Sequence, residues 1–344
     1  MLRKFWCVLL GFYLSIPQAY AYEFTKITEL FNMLQNKYAE NLDFEDIALN
    51  GLQTLYQFDN SFRLYHSDSK AFLYHHNNLI ASYTLPQEKN NAALWKDLTY
   101  KILKTGLDCS PNLIANSQSL ETHILEAMVS RLDTFSRIDN IPSAHIVSKF
   151  DEENNIVYLK PSLFFSGISD DIQKIISAYA NLNGIILDLR GCKGGNFNEA
   201  LKTADLFLDG TIIAYSSNSK KQQKYYNATP GDILRGKPIA VLTDSFTASA
   251  AELIAAALSE QSRAIVIGTK TYGKNSIQDI YQFDDQILFL TSGYFYTPSG
   301  KSLQNVGLMP QICTGIDNSC LLPDTRDSLK DVKIATKLIK RNFS

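Results

Sequence analysis

IAVLTDSFTASAAELIAAALSEQSRAIVIGTKTYGKNSIQ, residues 239–278, spells a strand, a helix, a second strand and a tight lysine-bearing loop in immediate succession. The β-branched run at 239–243 and the AIVIG run at 264–268 read as buried strands, and the Ala- and Leu-rich stretch between them reads as a helix. Ser249 then stands at the mouth of that helix, and Lys274 follows the second strand. A hydroxyl at a helix start and an amine at a strand end are two parts of a nucleophile and its base. Serine is a poor nucleophile at neutral pH and needs a proton acceptor beside it. Lysine can be that acceptor only where burial disfavours its ammonium form. Histidine, the usual base, is confined to positions 66, 75, 76, 123 and 145, all upstream of this stretch.

Working outward, IVYLKPSLFF at 156–165 opens as a strand. GISDDIQKIISAYANL reads as a crossover helix that Ser169-Asp170 can cap, and GIILDLRG at 184–191 is apolar enough to be buried on both faces. A glycine loop, GCKGGNF, comes next, then a helix at 198–208 and a short strand at 211–215. Strands alternating with helices predict right-handed βαβ units and a largely parallel sheet. Residues 216–237 are polar and lysine-rich and read as a solvated loop or edge hairpin, or as a rim against which a peptide could pair. Beyond 278, QILFLTSGYFYTPSG is β-rich, and the tail reads as a terminal helix.

Upstream, residues 22–57 carry helical periodicity. Residues 62–85 switch to β-rich text, with Asn77-Asn78 turning between two strands. Residues 94–103 and 121–132 read as amphipathic helices, and a domain boundary falls near 139–143. The first 21 residues combine Arg3 and Lys4, an apolar core at 5–14 and Ala19-Tyr20-Ala21, the pattern of a secretory signal peptide. That apolar core is about half the ~20 residues a membrane span requires.

The 33 basic and 35 acidic residues leave a net charge of −2, which provides no basic field for nucleic acid. Of five cysteines, Cys313 and Cys320 could close a small loop in an oxidising compartment. No pair has metal-ligand spacing with histidine, so no metal or cofactor is expected. GTKTYGKN at 268–275 nearly matches a phosphate-binding loop, but Asn275 replaces the required hydroxyl and a strand pattern follows where a helix is needed. Ser249-Ala-Ala-Glu252 is also a capping box, which gives the serine a purely structural alternative. Cys192, lacking a companion histidine, reads as packing, and Asp188 and Arg190 as braces for the glycine loop.

LDLRGCKGGNF, TDSFTASAAELIAAAL, IGTKTYGKNSIQ, SGYFYTPSGKSLQNVGLMPQI and, upstream, ILEAMVSRLDTFSRI together resemble the carboxy-terminal processing peptidases, also called tail-specific proteases. The resemblance covers residues 121–312. It implies an α/β catalytic core of the ClpP and crotonase-like kind, built from ββα-type units, and a secreted, periplasmic serine endopeptidase acting on polypeptides. It further implies Ser249 as nucleophile, Lys274 as general base and Gln278 as the residue orienting the amine. Gly194 or Gly195, together with Ala250, would supply oxyanion N–H groups. The family commonly carries a PDZ domain before the catalytic sheet, and residues 139–158 are too few to form one. A catalytically silent scaffold on the same fold is the alternative reading. The expected divisions are a signal peptide at 1–21, a mostly helical amino-terminal domain with a hairpin at 22–142, the catalytic domain at 143–322 and a terminal helix at 323–344.

Overall fold

The computed structural model describes residues 23–140, 142–218, 221–283, 286–322 and 329–341, so the secretory segment expected at 1–21 lies outside the described residues. Helix α1 (Thr25–Lys37) buries Ile27, Leu30, Phe31 and Leu34, the three-and-four spacing of a helix lying on a core. Helix α2 (Phe44–Leu52) begins where the Asp43 side chain accepts the Asp46 N–H. A short α3 (Leu55–Phe58) leads into an antiparallel sheet of β1 (Phe62–His66), β2 (Lys70–His75) and β3 (Asn78–Thr84). The turn between β2 and β3 falls on His76-Asn77, one residue earlier than expected. A two-residue link needs left-handed backbone at both positions, found here at φ 47° and 62°, and Asn78 becomes the partner of His75. Helices α4 (Ala92–Cys109), α5 (Pro111–Ala115) and α6 (Ser117–Val129) close around Trp95, Phe31, Phe44 and Phe62.

Next comes β4 (Arg137–Asn140), followed by a succession that builds two sheets: β5 (Ile146–Asp151), β6 (Ile156–Pro161), α7 (Ile168–Ser177), β7 (Gly184–Asp188), α8 (Phe197–Asp205), β8 (Ile212–Asn218), β9 (Gln223–Asn227), β10 (Ile239–Thr243), α9 (Ala250–Glu260), β11 (Ile265–Gly268), β12 (Ser276–Phe283), β13 (Gln286–Tyr296), β14 (Ile312–Cys313) and α10 (Lys330–Arg341). The six-stranded sheet runs β14-β11-β10-β7-β6-β5, and every pair is parallel except β5 with β6. Its central strands β7 and β10 are buried on both faces. Ile185, Leu187, Val241 and Val266 face the core shared with α7, α8 and α9, whereas Ile186, Ala240, Leu242 and Ile267 meet Ala335 and Ile339 of α10. That period of two under helices on each face is why these strands read as unbroken apolar text.

The second sheet, β12-β13-β8-β9 with β4 also on β13, is antiparallel. Strand β13 sends Leu288 and Leu290 into the amino-terminal core, which ties the two halves of the chain. The polar stretch after β8 forms the edge hairpin β8–β9. One further local expectation is corrected. Gly167, at φ 89°, caps α7 in place of Ser169-Asp170, and Ser169 lies inside the helix with its hydroxyl on Glu199 at 2.9 Å. A disulfide joins Cys313 to Cys320, and the loop it closes receives the Lys270 N–H on the Cys320 carbonyl at 2.7 Å.

Candidate active site

Strands β7, β10 and β11 are parallel, so the loops after them emerge together at the carboxyl edge of the sheet, where open α/β sheets carry their sites. These loops are GCKGG, DSFTAS and TKTYGK. Ser249 ends the middle one. It is the N-cap of α9, and its backbone N–H donates to Glu252 Oε2 at 2.9 Å as in one half of a capping box, while among the described residues its hydroxyl makes no capping hydrogen bond. Its backbone, however, lies at φ 53°, ψ −120°, whereas an ordinary cap is extended. A non-glycine residue held there costs on the order of 1–3 kcal/mol and is characteristic of sharp strand-to-helix turns that present a nucleophile.

Lys274 sits in the loop before β12. Its Nζ donates to Gln278 Oε1 at 2.7 Å and lies 4.8 Å from the centre of the Phe135 ring. Burial lowers its pKa to about 8, helped by the Arg137 charge and opposed by Asp133 and Glu252. Gln278, in turn, donates from Nε2 to the Phe135 carbonyl at 2.8 Å, so a residue 143 positions upstream sets its orientation. Among the described residues no hydrogen bond joins Lys274 Nζ to Ser249 Oγ; the amine is engaged with Gln278.

What brings the two loops together is Glu252, which the sequence suggested only as a helix cap. Its Oε2 accepts both the Ser249 N–H at 2.9 Å and the Lys274 N–H at 2.8 Å, so one carboxylate oxygen ties the backbones of serine and lysine. Its Oε1 accepts the Gly273 N–H at 2.8 Å and the Thr271 hydroxyl. The side chain has no exposed surface. Burial raises its pKa and the donors oppose that shift, and since every partner donates, the ionised form is the one this pocket fits. These contacts also settle the fate of GTKTYGKN. The Gly273 and Lys274 N–H groups are turned onto Glu252, β12 follows where a phosphate-binding loop needs a helix, and Asn275 is buried with its amide on the Phe295 carbonyl at 3.0 Å.

The glycine loop packs on the serine. Gly194, at φ 95°, lies so close that an added Cβ would fall 2.7 Å from the Ala248 carbonyl oxygen and 2.8 Å from both Ala250 N and Ser249 Cβ. Gly195, at φ 132°, is pressed on Phe164, whose N–H bonds the Gly194 carbonyl at 2.7 Å. Among the described residues, the N–H groups of Gly194, Gly195 and Ala250 have no protein acceptor. Gly194→Ala should therefore push the loop off the serine and lower kcat by about 100-fold or more, the usual cost of one oxyanion donor; steady-state peptidase kinetics beside a thermal melt check it.

Cys192 is buried with its thiol pushed up to about 11 by desolvation, which fits packing and not attack. Asp188 and Arg190 form a paired brace: Arg190 grips both oxygens of Asp188 at 2.8 and 2.7 Å and reaches Asp331 of α10 at 2.9 Å, while Tyr158 donates to Asp188 at 2.6 Å. The glycine loop thus leaves a strand end anchored to the terminal helix.

A strained serine, a half-buried amine and idle amides at the edge of a parallel sheet are parts that serine-type acyl transfer requires. Residues 155–314 match the model of peptidase family S41. A carboxy-terminal-processing protease of Bartonella bacilliformis is 36% identical over 172 residues, covering 48% of this chain and 40% of the relative. The carboxy-terminal processing protease CtpA of Bacillus subtilis is 30% identical over 232 residues, covering 62% and 48%. The chain thus matches less than half the length of each of these relatives. In solved structures, a lipoprotein from Streptococcus agalactiae superposes with a TM-score of 0.58 over 97% of this chain and 100% of its own, at 16% identity, which shows a shared fold.

Proposed function

We propose that the chain is a serine endopeptidase of the carboxy-terminal processing type, in which Ser249 is the nucleophile and Lys274 the general base. The observation that supports this reading is the buried Glu252 oxygen that accepts the backbone amides of both residues, tying the loop that bears an amine of lowered pKa to the strained turn at Ser249. The names of the relatives agree with an enzyme acting on polypeptides. Export to the periplasm rests on the segment at 1–21 alone.

In the proposed reaction, Ser249 Oγ adds to the scissile carbonyl as its proton passes to neutral Lys274 Nζ. The oxyanion is met by the Ala250 N–H and that of Gly194 or Gly195. Collapse breaks the C–N bond, and the lysine ammonium returns the proton to the departing amine. Water then hydrolyses the ester, with Lys274 taking its proton and handing it back to the serine.

A fluorophosphonate probe tests the assignment: it should label the wild type at Ser249 and leave Ser249→Ala unlabelled. No labelling of the wild type would favour the silent scaffold instead. Because the base works uncharged, kcat/KM should rise with pH through about 8 and level off above it. At pH 7 about a tenth of the lysine is neutral. A rate independent of pH between 6 and 10 would exclude a lysine base.

A further inference from the structure

We propose that Asp133 is a positioning residue for the base: through the turn 133–136 it aims the Phe135 carbonyl at Gln278 and so fixes which end of that amide meets Lys274. The inference rests on Lys274 acting as the general base.

The turn is stitched from a single carboxylate. Asp133 Oδ1 accepts the Phe135 N–H at 2.7 Å and the Ser136 N–H at 2.9 Å, and Oδ2 accepts the Ser136 hydroxyl at 2.6 Å. It is also pinned to β13. Thr291 N donates to Ser136 Oγ at 3.1 Å, and the Thr291 hydroxyl donates to Asp133 Oδ1 at 3.2 Å. Thr291 is the ladder partner of Gln278, so the turn is fastened to the residue directly across the sheet from the one it orients.

The chemistry of orientation then follows from donor and acceptor types. A peptide carbonyl can only accept, so Phe135 O selects the NH₂ end of Gln278 and leaves Oε1 to face Nζ. With the amide reversed, two donors would point at an amine that donates itself, and the lone pair of neutral lysine would be turned onto glutamine in place of the serine. Because a glutamine side chain is otherwise free to turn over, the carbonyl's aim is what makes the arrangement single-valued. The same turn brings the Phe135 ring over Nζ, where it excludes water from the amine.

Charge enters as well. The charged groups acting on Nζ are Arg137, which disfavours the ammonium, and Asp133 and Glu252, which favour it. Around Asp133 stand Tyr38, whose phenol burial and Asp133 together push up, and the hydrogen-bonded pair Tyr294 and Glu40. Asp133→Ala and Asp133→Asn therefore part company. Alanine dissolves the turn; asparagine keeps an oxygen for the two amides but removes the negative charge.

The experiment measures hydrolysis of fluorescein-labelled casein across pH 6–10 for wild type, Asp133→Ala, Asp133→Asn and Ser136→Ala, each checked for fold by circular dichroism. Asp133→Ala should lose about 100-fold in kcat with KM within about twofold, as expected when a reacting group is misplaced and binding is untouched. Asp133→Asn should recover most of kcat, with the acid limb of its profile displaced to lower pH because the ammonium has lost a stabilising neighbour. Ser136→Ala should fall between the two. If Asp133→Ala does not fold, recovery in Asp133→Asn with the displaced limb still supports the proposal. A folded Asp133→Ala with wild-type kcat and pH profile would overturn it, as would an Asp133→Asn profile with no displacement. Absence of Ser249-dependent casein hydrolysis in the wild type is a different result, one that removes the endopeptidase reading and this inference together.

Discussion

Lys274→Ala should lower kcat by about 10⁴-fold while leaving the fold and its melting temperature close to wild type. The size follows from what is lost. General base catalysis by a placed side chain contributes about 10²–10⁴-fold, and removing one member of a nucleophile and base pair disables the remainder as a unit. No histidine stands in reserve: His66 and His75 lie on β1 and β2, His76 in the turn after β2, His123 on α6, and His145 is exposed ahead of β5. Stability is little affected because the one side-chain hydrogen bond of the ammonium, to Gln278, is offset by the cost of burying its charge, the same burial that lowers its pKa. Lys274→Arg separates the proton-accepting role from a mere need for positive charge. Guanidinium stays charged at every working pH, so the arginine variant should be as inactive as alanine. Turnover and the melting curve are measured on the same preparations, and an arginine variant that works, or an alanine variant at full rate, would remove lysine from the mechanism.

Much of this geometry was legible because it is local. The apolar runs GIILD and IAVLT are buried on both faces of a helix-covered sheet, so composition alone marks them as β7 and β10. Ser249 at a helix start and the glycine-rich loop after β7 are likewise short-range patterns. The Ser169 expectation failed for a tertiary reason: its hydroxyl was claimed by Glu199, from the next helix, and the cap was left to a left-handed glycine. What could not be read is tertiary. In S-x-x-E only one oxygen of Glu252 serves the cap; the other reaches Thr271 and Gly273, and nothing in the four letters announces that. The same holds for Gln278, a polar residue in a strand until the Phe135 carbonyl is seen to face it. Strand β13 hid its double duty because Leu288 and Leu290 enter the amino-terminal core while Phe295 enters the other, so its text runs apolar without a clear period.

Glu252→Ala should be the most damaging single substitution for fold and activity together. The carboxylate occupies a site with no exposed surface and accepts from three backbone amides and one hydroxyl. Removing it orphans the amides of Ser249, Gly273 and Lys274, each of which costs about 1–3 kcal/mol when left buried without a partner. The Thr271 hydroxyl already accepts the Leu308 N–H at 2.6 Å but has no evident second acceptor to turn to. A loss of about 3–5 kcal/mol follows, a large part of the 5–15 kcal/mol that holds a typical domain together. Activity falls further than stability alone demands, because the strained turn at Ser249 and the lysine loop are no longer fixed to one atom and a displacement of about 1 Å is enough to cost 100-fold. Glu252→Gln tests that separation: the volume is kept, but one acceptor oxygen becomes an NH₂ group facing N–H donors. The glutamine variant should fold with a lowered melting temperature and lose at least about 100-fold in kcat, with the loss persisting at temperatures where circular dichroism shows the protein fully native. A glutamine variant with wild-type kcat would mean that serine and lysine are held in place by something other than their common carboxylate.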